Sequence, residues 1–218
     1  MGVFDIDEVA MNRLKIKHPR LKLYNCDVTN YKMTSDTVNI FFENHKSVDI
    51  LINNAGYIYS SPLIKFGVNG IMKHDPEIWN KVINLNLSSV FNMSVNVVEK
   101  MVIKRTRGII INITSISAAG NIGQIAYSAA KSGINAMTMT MAKELGVMGI
   151  RCVAIAPGFF ETHSTKEAMS EEMLKKWLRK IPLNRMGSGD DITKAVFSVI
   201  DNDYFNGKVF ELDGGLKI

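Results

Sequence analysis

Tyr127 and Lys131 lie four residues apart in YSAAK, inside AYSAAKSGINAMTMTMAKELG, a stretch whose alanines and methionines otherwise read as a buried helix. At about 3.6 residues per turn, two such positions stack on one face, roughly 6 Å apart along the axis. A fixed ammonium near a phenol favours the phenolate and moves a pKa that is ordinarily about 10 toward neutrality. Tyr127 is therefore a candidate for proton transfer near neutral pH. Ser115, at the end of the preceding apolar run, could hold a carbonyl oxygen or alkoxide, the atom on which charge develops during hydride transfer. A Tyr and a Lys at this spacing also arise by chance in many helices, so the pair gains its weight from the elements around it.

Those elements alternate between short apolar runs and longer amphipathic ones. Strands are predicted at 3–6, 21–25, 48–53, 108–114, 150–156 and 208–213, all short and rich in Val, Ile and Leu. Several are apolar on both faces, as in a parallel sheet covered by crossover helices, here predicted at 8–17, 34–46, 76–104, 126–147, 166–180 and 189–201. The expected fold is α/β with a doubly wound parallel sheet. Such sheets bind ligands outside the carboxyl ends of their strands. Three strand exits fall on that edge: NNAG at 53–56, Ser115, and the Pro-Gly pair at 157–158. The first turn of helix 126–147, with Tyr127, faces the same edge.

Composition narrows the function classes. A chain of 218 residues with 46% apolar and 22% charged residues is sized and composed for one soluble globular domain. The net charge of +5 is spread over solvated helix faces such as KKWLRK, without the clustered basic surface of a nucleic-acid reader. No apolar run is long enough to span a bilayer, and the acidic opening MGVFDIDEVAMNR is unlike a signal peptide, so a cytoplasmic protein is expected. Cys26 and Cys152 read as reduced core thiols, with no disulfide framework and no metal site. Three glycosylation sequons, at Asn86, Asn92 and Asn112, fall in segments that read as buried.

VDILINNAG, WNKVINLNLSSVF, INITS followed by YSAAK, APGFFET and GKVFELDGG stand in an order that resembles the short-chain dehydrogenase/reductase family, from residue 3 to Gly215. The resemblance implies a single Rossmann-like domain over 1–218 that interconverts an alcohol and a ketone with NAD, in preference to NADP. By the same resemblance Tyr127 is the general acid/base, Lys131 lowers its pKa and binds the nicotinamide ribose, and Ser115 orients the substrate oxygen. Asn86 is expected to support a water that passes protons to Lys131. Cofactor contacts are implied for Asp5 at the adenosine ribose, Asp27 and Val28 by the adenine, and Asn53, Ala55 and Gly56 in NNAG. Pro157, Gly158, Phe160 and Thr162 are implied near the nicotinamide, with Thr162 at the carboxamide. The family also joins its long helices in dimers and tetramers. A homotetramer, or at least a homodimer, is expected through Ala129, Ala130, Ala136 and Met137 on one helix and Val90, Met93, Val97 and Met101 on the other.

Two features depart from the family pattern. Ser115 and Tyr127 are twelve residues apart, one fewer than in most members, which calls for a tight intervening loop and leaves Ser117 as an alternative hydroxyl. Members also begin with a strand, a TGxxxGxG turn and a helix whose N-terminus receives the pyrophosphate, whereas VFDID here resembles their second strand. The expectation is a sheet without its first strand and helix, interrupted where that strand would lie, as from a truncated reading frame. The alternative is a catalytically inactive relative that serves as a binding or interaction module. Candidate substrates are 3-oxoacyl thioesters, sugars and small diols. Segment 159–187 resembles the family's substrate lid, with Phe159, Phe160, Met169, Met173 and Trp177 as a possible apolar wall or as ordinary packing.

Overall fold

The computed structural model describes residues 1–68, 70–161 and 177–216. Each predicted strand in 1–161 and 177–216 is present with its ends shifted by two residues or fewer: β1 (Gly2–Asp5), β2 (Lys22–Asn25), β3 (Ile50–Asn53), β6 (Gly108–Ile113), β7 (Ile150–Pro157) and β8 (Val209–Leu212). The helices are α1 (Glu8–Lys17), α2 (Tyr31–Asn44), α3 (Pro76–Ile83), α4 (Ser89–Ile103), α5 (Ile125–Leu145) and α6 (Gly189–Asp201). Predicted helix 166–180 lies largely outside the described residues.

β3, β6, β7 and β8 pair in parallel, in the order β3-β6-β7-β8. The alternation of side chains along β6 and β7 builds two cores. Ile110 and Cys152 point to one face, where Met93, Val97 and Met101 of α4 and Ala142 of α5 cover them. Ile109, Ile111, Val153 and Ile155 point to the other, toward Val199 of α6. β-branched residues fit this position because both faces of a central parallel strand are dry.

β1 and β2 form a separate parallel pair. The interruption falls between β1 and β3, where the family resemblance expects a further strand. β3 departs from two-sided burial accordingly. Leu51 is buried, whereas Ile50 and Ile52 are 41% and 44% exposed.

Predicted helix 76–104 is one path broken by a π segment at Asn84–Ser88 between α3 and α4. A wider turn re-aims the side chains it carries, and π segments recur at functional sites. Here it carries Asn86, which is fully buried.

The sequence reading of the subunit-facing residues needs correction. Val90, Met93, Val97, Met101 and Ala130 are all buried within the chain, because the sheet takes that stripe of each helix. Ala129 and Ala136 are exposed and Met137 half-buried, and the large outward apolar residues are Phe91, Val95, Val102 and Ile103 on α4 and Ile125 and Met139 on α5.

A further element escapes the sequence reading altogether: a hairpin of β4 (Ile64–Gly67) and β5 (Gly70–Lys73), paired antiparallel and exposed at every described position. Its signal was legible. Asn69-Gly70 between apolar residues is a hairpin turn dipeptide, and Gly70 adopts φ +109°, a conformation that costs glycine little.

Candidate active site

β6 ends at Ile113, and the chain then turns through Thr114 and Ser115 into a short 3₁₀ turn at Ile116–Ala119. Ser115 is extended (φ −165°) and caps that turn, its Oγ accepting the Ser117 amide at 3.1 Å. The same hydroxyl lies beside the Tyr127 phenol and draws its pKa down. Ser117 is therefore the residue that orients Ser115, and Ser115 is the one that meets the phenol. The shortened loop closes through local contacts, with Asn121 donating to Gln124 at 3.1 Å and its backbone amide donating to Ser128 at 3.2 Å.

α5 brings Tyr127 and Lys131 to this strand exit. Thr114 Oγ1 donates to the Lys131 carbonyl at 3.0 Å, tying the end of β6 to the second turn of the helix. Tyr127 and Lys131 are both buried. Lys131 Nζ donates to the Ile113 carbonyl at 2.9 Å and stands 5.6 Å from the centre of the Tyr127 ring.

The expected electrostatics are modified by burial. Desolvation raises the Tyr127 pKa above its ordinary value, and the Ser115 hydrogen bond offsets only part of this. Lys131, also desolvated, is pushed down to about 8. Its ammonium faces the Ile113 carbonyl and the face of the Tyr127 ring.

NNAG leaves β3 against the same cluster. A side chain on Gly56 would meet Asn86 Oδ1 at 2.9 Å and Lys131 Nζ at 3.6 Å, so this position must lack one. Asn86 Oδ1 accepts the Tyr57 amide at 3.0 Å, and Nδ2 donates to the Tyr57 and Val82 carbonyls at 2.9 and 3.0 Å. The π segment thus clasps the NNAG exit with both ends of one amide. Asn53 turns inward, donating to Ser94 and Asn112, and Asn112 donates to Thr138 on α5. Its side chain is spent on register, not aimed at a ligand. The sequons at Asn86, Asn92 and Asn112 are accordingly buried structural amides.

The remaining expected contacts are spread along the carboxyl edge. Asp5, exposed at the end of β1, accepts the Asp7 amide at 3.0 Å. Asp27 accepts the Thr29 amide and hydroxyl at 2.9 and 2.7 Å, and the Val28 carbonyl accepts from Asn92 at 3.0 Å. Pro157 ends β7, and the Gly158 amide donates to Leu212 at 2.9 Å, with Asp213 pressed where a side chain would go. Phe160 bridges to Gly187. Thr162, Met169 and Met173 lie outside the described residues. The Phe159 and Trp177 rings pack tilted with centroids 4.6 Å apart, and Phe159 packs with Ile116, Ile181 and Leu216, so this part of the aromatic wall is interior packing.

Sequence reasoning missed Thr114, Tyr57 and Tyr59. Thr114 carries no signal, since a threonine at a strand end is ordinary. Tyr59 packs on Val82, Ala126 and Tyr127, and only a hairpin prediction would have placed it there.

A parallel α/β sheet, a π-broken helix and a Ser-Tyr-Lys cluster at one strand exit define the class of protein, and the family model described as short chain dehydrogenase matches residues 4–173. The chain belongs to the short-chain dehydrogenase/reductase family, the NAD(P)-dependent oxidoreductases. It is similar to the 3-oxoacyl-[acyl-carrier-protein] reductase FabG of Buchnera aphidicola subsp. Baizongia pistaciae, 40% identical over 193 residues, which cover 87% of this chain and 75% of the relative. The FabG proteins of Thermotoga maritima and Staphylococcus epidermidis are 37% and 33% identical, covering 89% and 99% of this chain and 76% and 85% of their own lengths. No described helix is long and apolar enough to cross a membrane.

Proposed function

We propose that this chain reduces the 3-oxo group of an acyl thioester, with Tyr127 as the proton donor and NAD as the preferred cofactor. The observation that carries the reading is the convergence of Ser115, Tyr127 and a buried Lys131, whose Nζ stands 5.6 Å from the phenol ring centre. The names of the relatives favour an acyl thioester over the sugars and diols that the motifs alone allow.

The nicotinamide end of a cofactor fits the residues present: Gly56 leaves open the space that a side chain would fill between Asn86 and Lys131. Lys131 has donors beyond the one given to Ile113 with which to hold a ribose, and Asp5 offers a carboxylate at the far end of the edge. The bound cofactor supplies the hydride. Ser115 Oγ holds the carbonyl oxygen, and Tyr127 delivers a proton to that oxygen as its charge develops. With a pKa of about 8, Lys131 is mostly protonated at neutral pH and stabilises the phenolate that proton delivery leaves. The raised pKa of Tyr127 keeps the phenol protonated beforehand, as a donor in the reductive direction requires.

Asn86 positions the NNAG exit through Tyr57. Cys26 and Cys152 are free and buried, in keeping with a cytoplasmic enzyme. The test follows oxidation of NADH by an acetoacetyl thioester at millimolar cofactor. Turnover lost in Tyr127→Phe supports the reading, and full turnover in that variant overturns it.

A further inference from the structure

Beyond the reaction, the β4–β5 hairpin stands out as the most exposed apolar surface near the site. In its register Phe66 faces Ile71 and Ile64 faces Lys73. Side chains two apart share a face, so Ile64, Phe66 and Ile71 form one apolar stripe flanked by the stem of Lys73. Phe66 is 81% and Ile71 68% exposed. An isolated two-stranded hairpin is marginal in water, and this one spends its apolar residues on solvent.

The base of the hairpin is fixed to the catalytic helix. The His74 amide closes the base on the Leu63 carbonyl at 2.8 Å. The His74 ring meets Tyr59 edge-on at 6.1 Å, and Tyr59 packs on Tyr127. Ser61 bridges to Gln124, whose side chain donates to Ser60 at 3.1 Å one turn before Tyr127. These contacts tie the base of the hairpin, and the apolar stripe that rises from it, to the first turn of α5, beside Tyr127.

We propose that the β4–β5 hairpin lines the hydrocarbon chain of a long-chain 3-oxoacyl thioester, with Ile64, Phe66 and Ile71 as chain-length-determining residues. This rests on the thioester reading above. Each strand extends about 13 Å, which matches roughly ten methylene groups. The only charged residues on the two strands, Lys65 and Lys73, are cations, which suits the anionic carriers on which acyl thioesters travel. A protein partner would need about 800 Å² per side, more than three side chains on one narrow ribbon offer.

The test uses binding, so it stands apart from turnover. Titration calorimetry with butanoyl- and dodecanoyl-coenzyme A should show the longer thioester bound at least about tenfold more tightly, since each buried methylene adds to affinity. The double variant Phe66→Ser, Ile71→Ser should lose that preference with butanoyl affinity unchanged within about twofold. Val147→Ser, at a site 90% exposed elsewhere, should keep it. Equal affinity for the two thioesters, no binding of either, or a preference that survives the double variant or falls equally in Val147→Ser overturns the proposal. So does a sedimentation coefficient that drops in the double variant while the preference persists, which would assign the hairpin to a second copy of the chain. Absence of reduction with the preference intact would instead remove the reaction and leave the hairpin's role standing.

Discussion

Lys131 Nζ stands 5.6 Å from the centre of the Tyr127 ring and donates to the Ile113 carbonyl at 2.9 Å, so the ammonium is anchored to the strand exit before any ligand arrives. The end of β6 thereby fixes where the lysine stands relative to the phenol.

The first expected outcome concerns the phenol alone. Tyr127→Phe keeps the ring against Val82 and Tyr59 and removes the oxygen that Ser115 meets. Turnover at millimolar cofactor should fall at least about 100-fold with the melting temperature little changed. Near-native turnover would remove Tyr127 from the chemistry.

Burial of Lys131 makes a pH signature. Its pKa falls from 10.5 in the unfolded chain to about 8 in the folded one, so between those values the unfolded state binds more protons. The lysine's contribution to stability therefore rises as pH climbs through that window. Thermal melts should show Lys131→Met gaining stability relative to the native chain at pH 7, with that advantage shrinking by pH 9.5. An advantage independent of pH would mean that the ammonium is not desolvated.

Cofactor choice is expected to turn on Asp5. A carboxylate there accepts two ribose hydroxyls and repels a 2′-phosphate, so NAD should bind more tightly than NADP. Asp5→Ala should narrow the ratio of the two dissociation constants. An NADP preference of about tenfold or more in the native chain would defeat the assignment.

Self-association is expected through the outward faces of α4 and α5, where Phe91 is 53% exposed beside Val95, Val102 and Met139. Sedimentation should find a homotetramer or homodimer, and Phe91→Glu should weaken it. A stable, active monomer at micromolar concentration would refute this.

Much of this was legible along the chain. Strand positions followed from short β-branched runs, and Ser115, Tyr127 and Lys131 from their spacing across one strand exit and one helix turn. Local periodicity dictates such features, because a strand of period 2 and a helix of period 3.6 place neighbours in sequence as neighbours in space. The hairpin was equally local and announced by Asn69-Gly70.

Other features depended on which surfaces meet. Val90, Met93, Val97 and Met101 form an apolar stripe that the sequence leaves free to face a second subunit or the sheet, and only packing assigns it to the sheet. Asn53, Asn86 and Asn112 look alike as strand-end or helical amides. Their roles as register lock and clasp come from partners between 26 and 59 residues away. The direction of the Tyr127 shift is likewise tertiary: spacing puts a cation near the phenol, but the depth of burial raises its pKa, with Ser115 as the opposing influence.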